Sequence, residues 1–593
     1  MRVLARLLKA YAKHQWRLYV VTLVLIGVEV VLNVYLPQLS RAIVDAVVES
    51  TGDLSFVRSY LFSQSLLYLV WGLIRSVVVF VESYLFEKAA ETVSLKIRRD
   101  LYDHVQRLDF SFHNKARTGD LMSRVTSDVQ AMRELVGFGI VHLIYCLLMI
   151  LLVVGWMVSY NPSYALASLM SMPLLLVAAV RYSARSGPVF RAIQDQIASM
   201  TAKVQESVSG IRVVKAFAQE DQERVQFAEE SDAVLEKHLQ AARINAFYHP
   251  AMDFLASLGG IGVIWYGGRL YMNGALTAGD ITAFLSYLWM LIWPIRSMAW
   301  VIGMFQRGIA GGQRAFEILD ERRRISDSRG STPLQRITGR VHFDDVTFSY
   351  DSGEKVLDHF TLDIEPGETI GVLGMTGSGK STIGALIPRF YDVNSGSILV
   401  DGVDVRDAEL KSLRSHVGIV PQDTFLFSTT IRENIAYHDP DMDMERVIEA
   451  AKASQIHDFV ESLPQGYDTV VGERGVGLSG GQRQRIAIAR AIATDPKILI
   501  LDDSTASVDA ETESAIQESL GEVAKGRTTI IISQKVSSVR HADRIVVLKD
   551  GKIVELGTHD ELIARDGFYS RLHAAQTGSG LSSGEVTGEG MVV

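Results

Sequence analysis

The chain has 593 residues, a formal net charge of −9, an isoelectric point near 5.9 and 48% hydrophobic residues. A single hydrophobic core stops growing at roughly 250–300 residues, so two or three domains are expected. The acidic balance, without a basic stripe, argues against a nucleic-acid partner. The one cysteine, Cys146, lies in an apolar run as a small core or lipid-facing residue, and excludes an intrachain disulfide or a cysteine-built metal site.

Residues 1–18 read as a basic amphipathic helix carrying Arg2, Arg6, Lys9, Lys13 and Arg17, which suits a membrane interface rather than a cleaved signal. Those cations predict a cytoplasmic N-terminus. Apolar runs follow at Tyr19–Leu36, Leu61–Phe80, Val136–Val158, Ala165–Val180, Met252–Tyr271 and Ile281–Met304. About 20 residues rising 1.5 Å each cross a ~30 Å hydrocarbon layer, so these six runs predict six spans. The Ala165–Val180 run has to borrow length from its flanks. An even number of spans returns the chain to the cytoplasm. The long, charged, helix-patterned segments 87–133 and 181–248 are then cytoplasmic extensions of the spans. Glu29, Arg75, Glu82, Asp253 and Arg296 sit in or near the spans, either as structural ion pairs or as groups facing a substrate cavity.

From Val341 the pattern changes to short β-branched runs between turns and helices, the signature of an α/β domain. Gly374-Met375-Thr376-Gly377-Ser378-Gly379-Lys380-Ser381 follows the strand-like run Thr369–Leu373 and opens a helix, as a phosphate loop does. Its glycines allow backbone N–H groups to curl around phosphate oxygens, Lys380 offers a cation to the β/γ-phosphates, and the Ser381 hydroxyl suits Mg²⁺. Lys497–Asp502 reads as a buried strand ending in an acid, which suits an Asp that holds Mg²⁺ beside that loop. Between them lies Leu478-Ser479-Gly480-Gly481-Gln482, followed by a helix-forming run.

Together these motifs resemble the ATP-binding-cassette exporter family, and the resemblance extends from the basic N-terminal helix to about Ala575. It implies an all-α six-helix transmembrane domain of exporter type at 19–320 and an α/β P-loop ATPase domain at 338–575; the Gly/Ser-rich composition of 576–593 predicts a disordered tail. It implies ATP and Mg²⁺ as cofactors, with Gly374, Thr376, Gly377, Ser378, Gly379, Lys380, Ser381 and Thr382 around the phosphates. Tyr350 would stack on adenine, and Gln422 would couple the Mg²⁺ site, formed with Ser381 and Asp502, to the membrane half. Glu473 and Arg474 would touch a partner's cytoplasmic helices, Asp509 would act across a dimer interface, and 112–120 and 210–217 look like the family's coupling regions. Ser479, Gly480, Gly481 and Gln482 would complete the ATP site of a second subunit packed head to tail.

Two positions depart from the family pattern. Asp503 stands where a catalytic Glu is usual, and its carboxylate sits one methylene further back; Gln534 stands where a switch histidine is usual, and it cannot become cationic. The resemblance narrows to the degenerate-site chain of heterodimeric bacterial multidrug-type exporters. A multi-pass protein of the cell membrane is expected, with a cytoplasmic ATPase domain, a partner half-transporter that carries the Glu and His, and a small hydrophobic or amphipathic substrate. A lipid flippase, a peptide exporter and an ATP-gated channel are the alternatives, and a homodimer with two weak sites is the less economical assembly.

Overall fold

The computed structural model describes residues 2–48, 54–328, 330–351, 353–472, 475, 477–503, 521 and 523–577. Glu473, Arg474, Asp509 and the tail beyond Thr577 therefore lie outside the described residues. Two compact units emerge, one formed by 1–106 and 117–321, the other by 107–116 and 322–593.

The first unit is helical: α1 (Arg2–Ala10), α2 (Trp16–Val48), α3 (Leu54–Gln106), then α4 (Ile140–Tyr160), α5 (Met172–Ser209), α6 (Glu220–Met272) and α7 (Ala278–Asp320), with shorter helical turns between. Among the described residues, five helical stretches are long and apolar enough to cross a membrane: Trp16–Val48, Arg58–Gln106, Thr118–Tyr160, Pro162–Ser209 and Ala278–Asp320. The expected span at Met252–Tyr271 is not among the five, although it lies on the 53-residue helix α6. The run carries Asp253 and Arg269 as well as closely spaced glycines, and packing explains the glycines. A Cβ at Gly267 would collide with the buried Tyr164 hydroxyl, and one at Gly259 with Ser171, so small residues let α6 approach its neighbours closely.

The expected run Ala165–Val180 is divided. Pro162 begins a short helix, Pro162–Leu169, whose cap residue Asn161 accepts from the Tyr164 N–H at 3.0 Å, and α5 starts at Met172. Proline at a first helical position forfeits no hydrogen bond, which is why the turn starts a helix so readily. Tyr164, Phe284 and Tyr287 are fully buried in the core of this unit, with Ile26, Val153 and Val263.

Several ionisable residues of this unit are paired. Arg75 lies 3.8 Å from Glu29, whose carboxyl also hydrogen-bonds Glu82, and Arg296 pairs with Asp253. Cys146 is buried beside His142 and Ser297. At the start of α7, Thr277 and Asp280 form a capping box; Arg41 meets the Asp280 carboxylate at 2.8 Å and Tyr160 donates to it at 2.5 Å. Asp45 accepts from the Gly279 N–H at 2.7 Å and from Thr277 Oγ1 at 2.9 Å. The basic helix α1 packs on the end of α7: Leu7 is buried, and Arg6 makes a two-pronged pair with Asp320 at 2.6 and 2.7 Å over the Phe316 ring.

The second unit holds two sheets. Strands β1 (Val341–Ser349), β2 (Lys355–Ile364), β4 (Ser395–Val400) and β5 (Val403–Asp404) form an antiparallel sheet in the order β2-β1-β4-β5. A six-stranded sheet has the order β10-β9-β3-β8-β7-β6, built from β3 (Thr369–Gly374), β6 (Val417–Val420), β7 (Ile498–Asp502), β8 (Thr528–Ser533), β9 (Arg544–Lys549) and β10 (Lys552–Gly557). All its pairings are parallel except β9–β10. Its central strands are near-continuous apolar runs because both faces are covered. A parallel sheet delivers the ends of its strands to one edge, where ligand sites of α/β folds form. The final helix runs to Thr577, two residues into the expected tail, and ties back to the sheet end: the Gln576 amide donates to Gln534 O at 2.9 Å and accepts from Val536 N at 2.8 Å.

The segment 107–116, which links the helices of the first unit, belongs by its contacts to this second unit. Its short helix Phe110–Lys115 is capped by Asp109, which accepts from the Ser111 hydroxyl, from the Arg324 N–H at 3.0 Å and from the Phe112 N–H at 3.3 Å; burial pushes its carboxyl up, and these bonds, the Ser111 one foremost, hold it below the usual range.

Candidate active site

The loop after β3 turns into helix α8 (Lys380–Leu386) at Gly379, whose φ of +99° puts it in the left-handed region and whose missing side chain leaves room for Val356 O, 2.7 Å from where a Cβ would stand. No side chain caps this helix, so its first N–H groups have no intrahelical partner and are available to an anion. Lys380 is nearly buried and folds back to donate to Gly374 O and Met375 O, both at 2.8 Å. Burial lowers its pKa, opposed by the nearby charges of Asp503 and Asp502. An ammonium held only by carbonyl oxygens inside a glycine-rich loop is ready to exchange them for phosphate oxygens. Ser378 Oγ, in the same loop, is buried without a hydrogen-bond partner among the described residues.

Parallel pairing brings the acids to this loop. β8 lies between β3 and β7, so Asp502 and Ser533 finish neighbouring strands. Ser381 Oγ donates to Asp502 Oδ1 at 3.0 Å, and burial raises the Asp502 pKa while that hydrogen bond lowers it. Asp503 is turned differently: its φ is +42°, its N–H donates to Ile532 O at 2.7 Å, and its buried carboxylate accepts from Ser533 Oγ at 3.2 Å. Gln534 is exposed beside it, and Gln422 is exposed just beyond β6.

Tyr350 follows β1 and reaches the loop from the other side, where its hydroxyl lies 3.0 Å from Thr382 Oγ1 on α8. Its ring meets Phe348 and Tyr391 edge to face. The Ser479–Gln482 group opens helix α9 (Gly480–Ala493) as a reciprocal capping box, with Gln482 N donating to Ser479 Oγ at 3.2 Å and Ser479 N donating to Gln482 Oε1 at 2.8 Å. Thus Lys380, Ser381, Thr382, Asp502, Asp503 and Tyr350 converge, whereas the pentapeptide's cap is closed within itself. Ser533 and Tyr391 were missed from sequence; Ser533 ends the strand just before Gln534, a position that could have flagged it.

Residues 19–295 match the ABC transporter transmembrane region, and residues 357–506 match the ABC transporter family. A putative multidrug export ATP-binding/permease protein, YgaD of Bacillus subtilis (strain 168), is 37% identical over 97% of this chain and 100% of its own length. An ATP-dependent lipid A-core flippase of Syntrophus aciditrophicus (strain SB) is 39% identical over 85% of this chain and 84% of its own. The solved structure of a bacterial Atm1-family ABC exporter with ATP bound superposes with a TM-score of 0.78 at 27% identity, covering 96% of this chain and 99% of that one. With a transmembrane region and an ATPase domain on one polypeptide, this chain belongs to the ABC transporters and is an ATP-driven membrane exporter.

Proposed function

We propose that this chain is one subunit of a two-chain exporter of the cell membrane, with its N-terminus and ATPase domain cytoplasmic, moving a hydrophobic or amphipathic substrate with two unlike ATP sites. The observation that carries this reading is Asp503. A general base must reach the attacking water; this carboxylate is short, buried, 9% exposed and already accepting from Ser533. Gln534 supplies no charge to the γ-phosphate. The chain's own phosphate loop then binds ATP and hydrolyses it slowly, and the pentapeptide Ser479–Gln482 completes the faster site on a partner that carries the Glu and His.

In its own site, the loop 374–381 and Thr382 hold the phosphates, Lys380 leaves its two carbonyls to neutralise them, and Tyr350 stacks on the base. Ser381 Oγ and Asp502 Oδ1, 3.0 Å apart, are oxygen donors that fit Mg²⁺, and Gln422, beyond β6, would add a third. Bound there, the ion neutralises charge on the β- and γ-phosphates. A lipid substrate is the second reading, favoured by the 39% identity to a lipid A-core flippase.

The test is ATPase activity of the purified chain alone and with a candidate partner half-transporter. Low activity alone, rescue by the partner and indifference to Asp503→Ala support the two-chain reading. Brisk activity alone that is lost in Asp503→Ala overturns it in favour of a homodimer with an Asp base. Stimulation by lipid rather than by amphipathic drugs decides for the second reading.

A further inference from the structure

Strand β8 ends at Ser533, and the chain turns through Gln534 and Lys535 into a short helix, Val536–Val539. That turn is fastened from two sides. On its inner side the buried Ser533 hydroxyl donates to Asp503 Oδ1 at 3.2 Å and accepts from the Lys535 N–H at 3.0 Å. On its outer side stands Gln576, 42 residues beyond Gln534: its side-chain amide donates to Gln534 O at 2.9 Å and accepts from the Val536 N–H at 2.8 Å. One planar amide, a donor and an acceptor at once, therefore takes the backbone groups on both sides of Lys535.

The helix that carries Gln576, Phe568–Thr577, is itself seated on the sheet end. Tyr569 is fully buried, its hydroxyl lies 2.6 Å from His559 Nδ1, and its N–H donates to the Glu555 carboxylate at 3.1 Å. Tyr569 and Leu572 pack into one apolar cluster with Val536, Val539 and Leu373, the last of these one residue before the phosphate loop. Gln576 is exposed, as is the Gln534 side chain. Two neutral hydrogen bonds at a wet surface add little to stability, and holding a long side chain in one rotamer costs entropy. Their consequence is geometric. They fix the peptides that follow Gln534, and with the Ser533 clip they set the direction in which its side chain leaves the backbone.

We propose that Gln576 is a positioning residue for this chain's ATP site: by clamping the turn 534–536 it aims the Gln534 amide at the γ-phosphate, and so sets the site's preference for ATP over ADP. This rests on the reading that residue 534 stands beside the γ-phosphate. ADP lacks that group, so the contact favours ATP alone, and a hydrogen bond to a charged group is worth about tenfold in affinity or more.

The experiment uses the full-length chain in lipid nanodiscs with Mg²⁺ and measures equilibrium affinities for ATP and for ADP. It compares wild type with Gln534→Ala, Gln576→Ala, Gln576→Glu and the double variant Gln534→Ala/Gln576→Ala. Gln534→Ala lowers the ATP-to-ADP affinity ratio about tenfold. Gln576→Ala lowers it about three- to tenfold with ADP affinity unchanged, and so does Gln576→Glu, which keeps the acceptor for Val536 but sets a carboxylate against Gln534 O. The double variant falls no further than Gln534→Ala, because the clamp acts only through that side chain. A merely structural role would weaken ATP and ADP together, and that result overturns the proposal. So does a ratio unchanged in both Gln576 variants while Gln534→Ala lowers it. A ratio unmoved by Gln534→Ala defeats instead the reading that places residue 534 at the γ-phosphate, whatever the Gln576 variants do.

Discussion

The membrane unit and the ATPase unit anchor their helices with different chemistry. In the membrane unit, long helices are locked by a few polar knots within an apolar bundle, chief among them Arg41, Asp45, Tyr160 and Asp280 at the start of α7. In the ATPase unit, reciprocal caps at Thr430, Ser479 and Thr558 close three of the helices, while those at 380–386, 410–415 and 444–453 begin without a side-chain cap. The helix that follows the phosphate loop is the instructive one among the uncapped, because the left-handed Gly379 precedes it and Lys380 folds back onto the loop's carbonyls. An uncapped N-terminus that opens from a glycine-rich loop beside a lysine is where an anion fits.

That contrast breaks most sharply at Lys380. Lys380→Ala removes the cation from the open end, and ATPase activity of the assembled exporter is expected to fall about 10²-fold or more; a steady-state phosphate-release assay reads it. Next comes the knot of the membrane unit. Asp280→Ala leaves Arg41 with Asp45 at 3.5 Å and removes the Tyr160 partner and the helix cap, and loss of hydrogen bonds to a buried charge is expected to cost about 1.5–3 kcal/mol, visible as a drop in thermal stability in detergent. Gly267→Leu drives a side chain into Tyr164 and is expected to cost about 1–3 kcal/mol or more by the same measurement.

Two smaller effects sharpen the comparison. Ser479→Ala and Thr558→Ala each remove one reciprocal cap, at about 1 kcal/mol, so their thermal shifts are similar. Only Ser479→Ala also lowers ATPase activity of the two-chain assembly; equal activity in both variants removes the signature helix from the reaction. The last is a pH effect at Asp502. Its folded-state pKa is raised by burial, so folding without nucleotide favours the protonated acid. Stability from this group is fully present below the unfolded pKa and is lost as pH rises from there through the folded one. Asp502→Asn therefore melts above wild type at neutral pH, with a gap that closes on acidification; a gap independent of pH refutes the assignment.

Local patterns marked most of the chemistry. The phosphate loop, the pentapeptide and the Asp502 strand were legible because each depends on contiguous residues: glycines for a turn, a Ser/Gln pair for a cap, an apolar run for a buried strand. The apolar runs were legible for the same reason; the run Met252–Tyr271 lies on one continuous helix, where its glycines serve close packing against Tyr164 and Ser171. The final helix shows the opposite limit: Gln576 looked like the start of a tail, yet its amide is used by Gln534 and Val536, some 40 residues away in sequence.

By itself the sequence determined that this chain couples a helical membrane domain to a phosphate-loop ATPase, and that the residues at 503 and 534 depart from the usual pair. Only the tertiary structure decided how Asp503 is held, because its contact with Ser533 depends on β7 and β8 lying side by side. The same holds for segment 107–116, whose place against Tyr391 and Asp351 follows from contacts between residues far apart in the chain. Periodicity and motif spacing carry information about neighbours along the backbone; they carry none about which distant surfaces a parallel sheet brings together.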